Sequence, residues 1–358
     1  MNKILIHGAT NWGSSNFGDY LYADATVRRI HKQDEKAEIR FAEPSDYFLK
    51  YLPEYAKCAF DEKDADLLVY IPGGYFGEGH GYGLRDKIIH FIRFLPVGIR
   101  ASYRKQKICI VGIGAGPITF PALKWGIKRI CNAAISLTVR DIESQNSLEA
   151  VGVTNAELVF DPIISLPLRD WSVPSVQLDA FDGSRKTLLV HYNHSKVAAV
   201  VFADAVNRFV SESGEAFNVV VSSDQLLSTE DELFDLFSSK IDFPIFRYQY
   251  DNPYEFISLL DRCDYILTCK LHVGVVGMML GASVVCAAEH PEKTKRYYSH
   301  IGCPERCVSL YDNGSEAIFT LMQDNLGNSM PPFNKSDLDL AEAAWQSIDQ
   351  SIDQSIGL

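Results

Sequence analysis

The sequence alternates short apolar runs with longer amphipathic stretches, and this alternation occurs twice along the chain. Runs typical of buried parallel strands occupy 3–7, 65–71, 107–111 and 134–139 in the first half, and 187–192, 217–222, 243–248, 265–267 and 283–287 in the second. A polar, proline-bearing segment at 167–185 separates the two series. The pattern predicts two Rossmann-like α/β domains, at 1–166 and 186–335, joined by that linker and followed by a C-terminal helix at 336–358.

The composition fits two globular domains and argues against one large class of ligand. A chain of 358 residues can build two cores, and its 47% hydrophobic and 22% charged residues are average for a globular protein. The formal net charge of -12 and the pI near 5.2 argue against a general nucleic-acid binder, which needs a basic face. An anionic ligand would therefore have to be held by individually placed cations and helix N-termini.

The cysteines and the longest apolar runs indicate the compartment. The eight cysteines lack the spacing of a metal site, so we predict no bound metal, and free thiols favour the reducing cytoplasm. We expect no signal peptide and no transmembrane segment, because no apolar run approaches the roughly 20 residues of a membrane span. No amphipathic stretch is basic enough to predict stable attachment to a membrane, so we expect none.

The segment 261–286 is the strongest candidate for the chemical site. Its pattern predicts a strand, a turn and a helix, with Lys270 and His272 between the strand at 265–267 and the helix at 273–280. In open α/β sheets that edge faces the ligand, and a helix N-terminus attracts anions. Alternatively, the lysine and the histidine only begin a surface helix.

Two glycine-containing loops also follow predicted strands. Asn16, Gly18 and Asp19 precede a helix, and Gly73 and Gly74 follow the next clear strand. Because glycine lets a ligand approach backbone N–H groups closely, such loops suit a phosphate or a sugar. The alternative is that Gly18 only shapes the turn and Asp19 only caps the helix.

A third loop and two further cations complete the set of candidates. The glycines at 112–116 lack the usual dinucleotide spacing, and Asn132 stands where an acidic residue would be expected, so NAD is not favoured. Arg140 ends a predicted strand and can either reach an anion or pair with Asp141. Lys293 lies in a polar, cation-rich loop and is either an anion contact or part of a solvated helix start.

Taken in order, these motifs resemble those of the polysaccharide pyruvyl transferase family from near residue 3 to about residue 300. The resemblance rests on Asn16-Phe17-Gly18-Asp19, Gly73-Gly74, Gly112-Ile113-Gly114-Ala115-Gly116-Pro117, Val139-Arg140-Asp141 with Ser144 and Gly152, Asp161-Pro162, Lys270-Leu271-His272, and Lys293. The chain departs from the family at Lys270, where arginine is usual, at Tyr75, where a third glycine is common, and at Tyr20, where glutamate is frequent. Lysine keeps the charge of arginine but lacks its bidentate fork.

The two alternations imply two Rossmann-like domains that face each other across a cleft, and a C-terminal helix that returns to the first domain would complete a type-B glycosyltransferase-like fold. The resemblance fits this fold. It also implies a transferase that moves pyruvate from phosphoenolpyruvate onto a sugar as a ketal, during assembly of bacterial surface polysaccharides. The donor is then a substrate, no cofactor is needed, and the acceptor is a saccharide that is either lipid-linked or nucleotide-linked.

The resemblance assigns roles to the candidate residues as well. His272 is expected to be the general acid or base, because histidine transfers protons near neutral pH. Lys270, Arg140 and Lys293 are expected to contact the anionic donor. The residues expected on the acceptor side or the facing wall are Asn16, Gly18, Asp19, Gly73 and Gly74, and Gly114 is a further expected substrate-binding residue.

Two other functions fit the same two-domain frame. A glycosyltransferase would use a nucleotide-sugar donor and would need a ribose contact and a base-stacking slot in the second domain. A sugar-binding or regulatory protein would bind a saccharide without turnover, and the change to Lys270 is the sequence feature that favours it.

Overall fold

The protein contains two β-sheets, and the strands within each sheet pair in parallel. The structure, a computed structural model, describes residues 2–57, 60–78, 83–179 and 181–356. The chain forms two units. Unit 1 comprises Met1–Ser15, Asp19–Leu166 and Asn334–Leu358, and unit 2 comprises Asn16–Gly18 and Pro167–Phe333.

Unit 1 is built on a sheet with the strand order β2-β1-β3-β5-β6-β7, in which β4 also pairs with β5. Its strands are β1 (Lys3–His7), β2 (Glu38–Phe41), β3 (Leu67–Tyr70), β4 (Gly73–Phe76), β5 (Lys107–Ala115), β6 (Ser136–Val139) and β7 (Glu157–Leu158). The helices of the first half of the chain are α1 (Phe17–Gln33), α2 (Asp46–Tyr51), α3 (Leu84–Phe94), α4 (Pro96–Arg104), α5 (Pro121–Ala133) and α6 (Ile142–Glu149). The central strands β3 and β5 are buried on both faces, as their continuous apolar runs predict.

The C-terminal helix (Lys335–Ile356) completes unit 1. Ile348 and Ile352, which repeat at a spacing of four residues, are fully buried. Arg29 of α1 pairs with Asp349 of this helix, and Trp345 Nε1 donates a hydrogen bond of 3.0 Å to the carbonyl of Pro162. Residues 357 and 358 of the predicted helix lie outside the described residues.

Unit 2 is built on a sheet with the strand order β10-β9-β8-β11-β12-β13. Its strands are β8 (Lys186–His191), β9 (Phe217–Ser222), β10 (Phe246–Arg247), β11 (Tyr265–Thr268), β12 (Ser283–Ala288) and β13 (Cys307–Ser309). Its helices are α7 (Lys196–Ser213), α8 (Glu230–Ser238), α9 (Pro253–Asp261), α10 (Leu271–Leu280), α11 (Pro291–His300) and α12 (Leu310–Asn325). Numbered within the unit, this is the order 3-2-1-4-5-6 of the Rossmann fold, whose direction reverses between β8 and β11.

Close packing of α10 fixes the segment that carries the Lys-Leu-His motif. Most of this helix is buried, because its sequence is apolar on all sides. A Cβ atom added to Gly277 would lie 2.3 Å from Ile266 Cδ1 of β11, and one added to Gly274 would lie 2.8 Å from the Tyr298 hydroxyl. The two glycines therefore let α10 approach the sheet closely, which holds its N-terminal turn against the ends of the strands.

Several elements differ in detail from the sequence-based expectations. The Gly73 and Gly74 loop is a short strand, β4, that continues the sheet beside β5. The segment predicted as a linker contains 3-10 turns at Leu168–Trp171 and Val176–Leu178 and belongs to unit 2. Residues Asn16–Gly18 also belong to unit 2, whereas the sequence pattern placed them with the first domain.

Candidate active site

Several charged and titratable residues of unit 2 lie where its strand order reverses. In such sheets, ligands bind at the carboxyl ends of the strands beside the reversal point. Here that point lies between β8 and β11, which run side by side and end at His191 and Thr268. The chain leaving β9 adds a carboxylate to the same edge, and the chain leaving β12 adds further cations. We therefore take this edge of unit 2 as the candidate active site.

Asp224 lies at the centre of this site. It follows β9 by two residues and is 1% exposed. Its Oδ2 atom accepts a hydrogen bond of 3.1 Å from Asn16 Nδ2, and its backbone carbonyl accepts one of 2.9 Å from the Phe17 amide. The Phe17 ring packs edge-on against Phe256 with 4.9 Å between ring centroids. These contacts hold the Asn16–Gly18 segment against Asp224.

His191 connects Asp224 to β11. The Nε2 atom of this buried imidazole lies 3.5 Å from Asp224 Oδ1, and its Nδ1 atom lies 2.9 Å from Thr268 Oγ1. Because a carboxylate can only accept hydrogen bonds, we assign a proton to Nε2. The Thr268 hydroxyl also accepts from the Lys270 amide over 3.0 Å, so it fixes the turn that presents Lys270.

Asn193 joins the same carboxylate to Lys270. This buried residue has a φ of 52°, in the left-handed region that non-glycine residues seldom adopt. Its amide donates to Asp224 Oδ1 over 2.9 Å and accepts from Lys270 Nζ over 3.1 Å, in the orientation that satisfies both atoms. Such backbone strain is frequent at functional sites, and here it places a bridging amide between an anion and a cation.

Asp224 is ionised at neutral pH despite its burial. Burial alone would raise its pKa, but the nearby charge of Lys270, the hydrogen bond and charge of His191, and the charge of His272 lower it to about 2. The site therefore contains a carboxylate anion beside one lysine and two imidazoles.

His272 occupies the first turn of α10 and packs against Gly18. A Cβ atom added to Gly18 would lie 2.2 Å from His272 Nδ1 and 3.0 Å from His272 Cβ, so any larger residue would displace the whole imidazole. Gly18 is thus needed for close approach to the histidine. This contact brings together two residues that the sequence placed in different domains.

A cationic rim borders the site on the side of β12. Partial burial and the positive charges of Lys270, Lys293 and His194 together lower the pKa of His290 to about 4. Lys293 lies in the first turn of α11, whose N-terminus also attracts anions. This part of unit 2 can therefore hold a ligand with several negative charges.

Arg140, a predicted anion contact, lies in unit 1 and is buried in a network of its own. Its Nη1 atom is 3.5 Å from Asp161 Oδ2 and its Nε atom is 3.9 Å from Asp141 Oδ2. The Tyr22 hydroxyl donates a hydrogen bond of 2.5 Å to the other oxygen of Asp161. Burial alone would lower the pKa of Arg140, but the charge of Asp161 raises it. The structure thus shows the local ion pairs that were one of the two sequence-based alternatives.

The other predicted residues of unit 1 are Asp19, Gly73, Gly74 and Gly114. Gly114 packs against Arg140, because an added Cβ atom would lie 2.8 Å from Arg140 Nη2. Gly73 and Gly74 belong to β4. Burial lowers the pKa of the Arg93 guanidinium, and the charge of Asp19 offsets part of this shift. Their assignment to the substrate stays a prediction.

Three residues of the site in unit 2 were not predicted from the sequence: His191, Asn193 and Asp224. Each ends or follows a predicted strand, 187–192 or 217–222, so the rule that marked Lys270 also applied to them. The spacing of charged residues offered no reason to combine them, because strand order decides which strand ends are neighbours. In the described part of the chain, no cluster of His, Cys, Asp or Glu side chains is arranged to hold a metal ion.

Solved structures with the same architecture define the class of fold. The UDP-GlcNAc 2-epimerase of Methanocaldococcus jannaschii has a TM-score of 0.63 at 13% identity, covering 96% of this chain and 98% of that one. The epimerase of Neisseria meningitidis bound to UDP-GlcNAc has a TM-score of 0.59 at 11% identity, covering 99% of each chain. The Anabaena protein HepE in complex with UDP and glucose has a TM-score of 0.56 at 12% identity, covering 100% and 99%. The predicted α/β fold, with two Rossmann-like units of the type-B glycosyltransferase kind, is confirmed.

The sequence identifies the family within this fold class. The model for the polysaccharide pyruvyl transferase family matches residues 16–291, which is most of the chain. The protein therefore belongs to the polysaccharide pyruvyl transferase family, and the predicted family resemblance is confirmed. A comparison with curated proteins found no match.

Proposed function

We propose that this protein transfers pyruvate from phosphoenolpyruvate to a saccharide as a cyclic ketal, in the cytoplasmic assembly of a bacterial surface or exopolysaccharide. The observation that carries the proposal is the grouping of Asp224 with Lys270, His191 and His272 at the reversal point of the unit 2 sheet. This grouping combines cations for an anionic donor with imidazoles that can transfer protons. Family membership is consistent with this activity.

The donor carries a phosphate and a carboxylate, and the site offers separate contacts for the two groups. Lys270 caps α10, and Lys293 lies in the first turn of α11, so each lysine accompanies the positive end of a helix dipole. We assign the phosphate and the carboxylate of phosphoenolpyruvate to these two positions. No metal ion or cofactor is needed, because the cations of the chain can neutralise the donor.

The reaction requires one proton to be added to carbon and two hydroxyl protons to be removed. Protonation of C3 makes C2 of the enol phosphate electrophilic, and one sugar hydroxyl adds to C2. A second hydroxyl then displaces phosphate by cleavage of the C2–O bond, which leaves a ketal and inorganic phosphate. One of the hydroxyl protons replaces the proton given to C3, and the other leaves with phosphate.

His272 is the proposed general acid or base for these transfers. Its charge acts on the Asp224 carboxylate, and histidine is the side chain suited to donate a proton to C3 near neutral pH. The close contact with Gly18 restricts where the ring can lie. Asp224 thus acts as a positioning residue, because it orients His191 and Asn193 and stabilises the charge on His272. The assignment of Asp19, Gly73 and Gly74 to the saccharide is retained as part of the proposal.

Thermal unfolding with phosphoenolpyruvate tests the donor assignment. A ligand at 100 times its dissociation constant stabilises the folded protein by about 2.7 kcal/mol, so the unfolding temperature should rise. The rise should weaken in Lys293→Ala but persist in Lys295→Ala, which removes an exposed lysine from the same helix. An equal rise in both variants would remove Lys293 from the donor site.

A nucleotide-sugar-dependent glycosyltransferase is the second candidate, because the similar solved structures include complexes with UDP-GlcNAc or UDP. A rise in the unfolding temperature with UDP-sugars and none with phosphoenolpyruvate would support it and overturn the first proposal. Binding of phosphoenolpyruvate without release of phosphate, across a panel of saccharide acceptors, would instead support a protein that binds without turnover.

A further inference from the structure

Helix α3 of unit 1 exposes a row of large aliphatic side chains. Leu84, Ile88 and Ile92 are 61%, 41% and 51% exposed, and their spacing of four residues places them on one side of the helix. A surface helix of a globular protein usually turns such a row toward the core. We propose that α3, α4 and α5 form a surface that docks on an anionic lipid membrane, and we call this surface the α3–α5 face.

Helices α4 and α5 extend this surface with two aromatic side chains. Tyr103 of α4 is 62% exposed and Trp125 of α5 is 49% exposed. The helices pack together at Gly126, where an added Cβ atom would lie 2.8 Å from Leu95 Cδ1 and 3.4 Å from Phe91 Cε2. The Arg129 guanidinium of α5 lies 3.5 Å from the centre of the Tyr103 ring. These contacts pack α5 against α3 and α4, and they place the exposed Tyr103 beside a cation of α5.

The α3–α5 face is basic in an acidic protein. Residues 84–133 contain ten lysines and arginines and one acidic residue, Asp86. Three of these cations are paired with glutamates outside the segment, Lys87 with Glu78 and Arg100 and Arg104 with Glu62. Lys105, Lys124 and Lys128 are exposed on or next to the helices. In a chain with a net charge of -12, this local positive charge can attract an anionic surface.

The combination of residues favours a lipid membrane over other anionic partners. Tryptophan and tyrosine suit the boundary between lipid headgroups and acyl chains, and exposed leucine and isoleucine gain free energy when they enter it. An open pocket next to Trp125 is lined by Lys128, Arg129 and Asn132, which can bind a phosphate headgroup. A nucleic acid would use the cations but leave the aliphatic row of α3 in water.

This surface was not predicted from the sequence because it is assembled from three helices. Each helix by itself is short, and the charge and the apolar residues are shared among them. Among the described residues, no helix has the length and apolar character needed to cross a membrane. The inference concerns docking on the membrane surface and is independent of the proposed function.

Co-sedimentation with lipid vesicles tests the inference. The full-length protein should bind vesicles of phosphatidylcholine with about 40% phosphatidylglycerol, and should bind pure phosphatidylcholine at least tenfold more weakly. Lys124→Glu with Lys128→Glu should weaken binding to the anionic vesicles at least tenfold, because each basic residue near the surface contributes about 1 kcal/mol. Ile88→Ser with Ile92→Ser should also weaken it, through lost apolar burial.

Matched controls separate docking from a general effect of charge. Lys32→Glu with Lys36→Glu reverses two exposed lysines, also four residues apart, elsewhere in unit 1 and should leave vesicle binding within twofold of the original protein. All variants should keep the original unfolding temperature, since the replaced residues are exposed. Absence of binding to anionic vesicles, or equal losses in the two lysine pairs, would overturn the inference. Self-association that is lost in the α3–α5 variants, without vesicle binding, would assign the face to a second copy of the chain.

Discussion

Each unit contains a buried carboxylate whose pKa is about 2, but the two carboxylates have different neighbours. Around Glu78 in unit 1, burial would raise the pKa, but the Lys87 ammonium at 2.7 Å and hydrogen bonds from Thr119 and the Phe120 amide lower it. Around Asp224 in unit 2, burial acts in the same direction, and Lys270 and two imidazoles oppose it. A low pKa is therefore common to both sites and does not by itself mark function.

The difference lies in what the neighbours of each carboxylate can do. The Lys87 ammonium, the Thr119 hydroxyl and backbone amides bind Glu78 in a fixed arrangement that stabilises a loop. Asp224 is instead surrounded by Lys270 and two imidazoles, and imidazole is the side chain that ordinarily transfers protons near neutral pH. The chemical type of the neighbours, and not the size of a pKa shift, thus separates the candidate active site from a structural contact.

The two cations Arg140 and Lys270 also differ in their surroundings. Both follow strands of parallel sheets, and both were predicted to contact the donor. Arg140 is buried with Asp161, so a ligand could reach it only by disrupting a buried ion pair. Lys270 is only partly buried and lies at the point where the unit 2 strand order reverses.

The largest effect on turnover is expected from removal of the His272 imidazole. His272→Ala should lower turnover by about 10²- to 10⁴-fold, because loss of a general acid or base costs that much. The rate of phosphate release from phosphoenolpyruvate, with a saccharide acceptor that supports turnover, provides the measurement. His300→Ala, at the exposed end of α11, is the matched control and should keep the original rate.

A His272→Ala protein with full turnover would place the proton transfer elsewhere and weaken the contrast between the two units. A variant that loses its fold would point instead to a structural role for the ring against Gly18. Measuring the unfolding temperature of each variant beside its rate distinguishes these two results.

Replacing Arg140 should affect stability more than chemistry. Arg140→Ala should lower the free energy of unfolding by about 3 to 5 kcal/mol, because it removes the positive charge beside the buried Asp161 carboxylate. Urea denaturation measures this loss. Arg185→Ala breaks an exposed pair with Asp182 and should leave the free energy of unfolding almost unchanged. If Arg140→Ala remained stable but lost the stabilisation by phosphoenolpyruvate, Arg140 would be an anion contact after all.

The two carboxylates can be compared directly by changing each to its amide. Asp224→Asn should lower turnover by about 10- to 100-fold, because hydrogen bonds to a charged group contribute about 1.5 to 3 kcal/mol. Glu78→Gln should lower stability and leave the turnover of the folded fraction unchanged. Phosphate release, normalised to the folded protein, gives both values. Equal losses of turnover in the two variants would remove the distinction drawn between the units.

Local patterns in the sequence were sufficient to predict the fold class, since apolar runs and helical periodicity recur in both halves. The same patterns located Lys270 and His272, because a strand end and a helix start are neighbours in the sequence. Asp224, Asn193 and His191 were missed for a physical reason. They meet Lys270 only because β9, β8 and β11 lie side by side, and strand order is set by contacts between distant parts of the chain.

The role of Gly18 also depends on a contact between distant parts of the chain. The sequence marked it as a flexible position before a helix, but gave no sign that an imidazole far along the chain, at His272, would pack against it. For Arg140 the sequence left two roles open, an anion contact or a local ion pair, because a position at the end of a strand fits both. Only the burial of Asp161 beside it favours the structural one.

The smallest expected effect is a dependence of stability on pH that Asp224 contributes. Its pKa of about 2 in the folded protein lies below the ordinary aspartate value of 3.8, so ionisation of Asp224 stabilises the fold above pH 4, and this stabilisation is lost as the pH falls toward 2. We expect a contribution of about 2 kcal/mol at about pH 5, of which about 1 kcal/mol is lost by about pH 3. Urea unfolding of the original protein and of Asp224→Asn at both pH values measures the difference. If the difference between the two proteins did not shrink on acidification, the lysine and the imidazoles would not be stabilising the ionised form, and Asp224 would resemble a neutral structural contact.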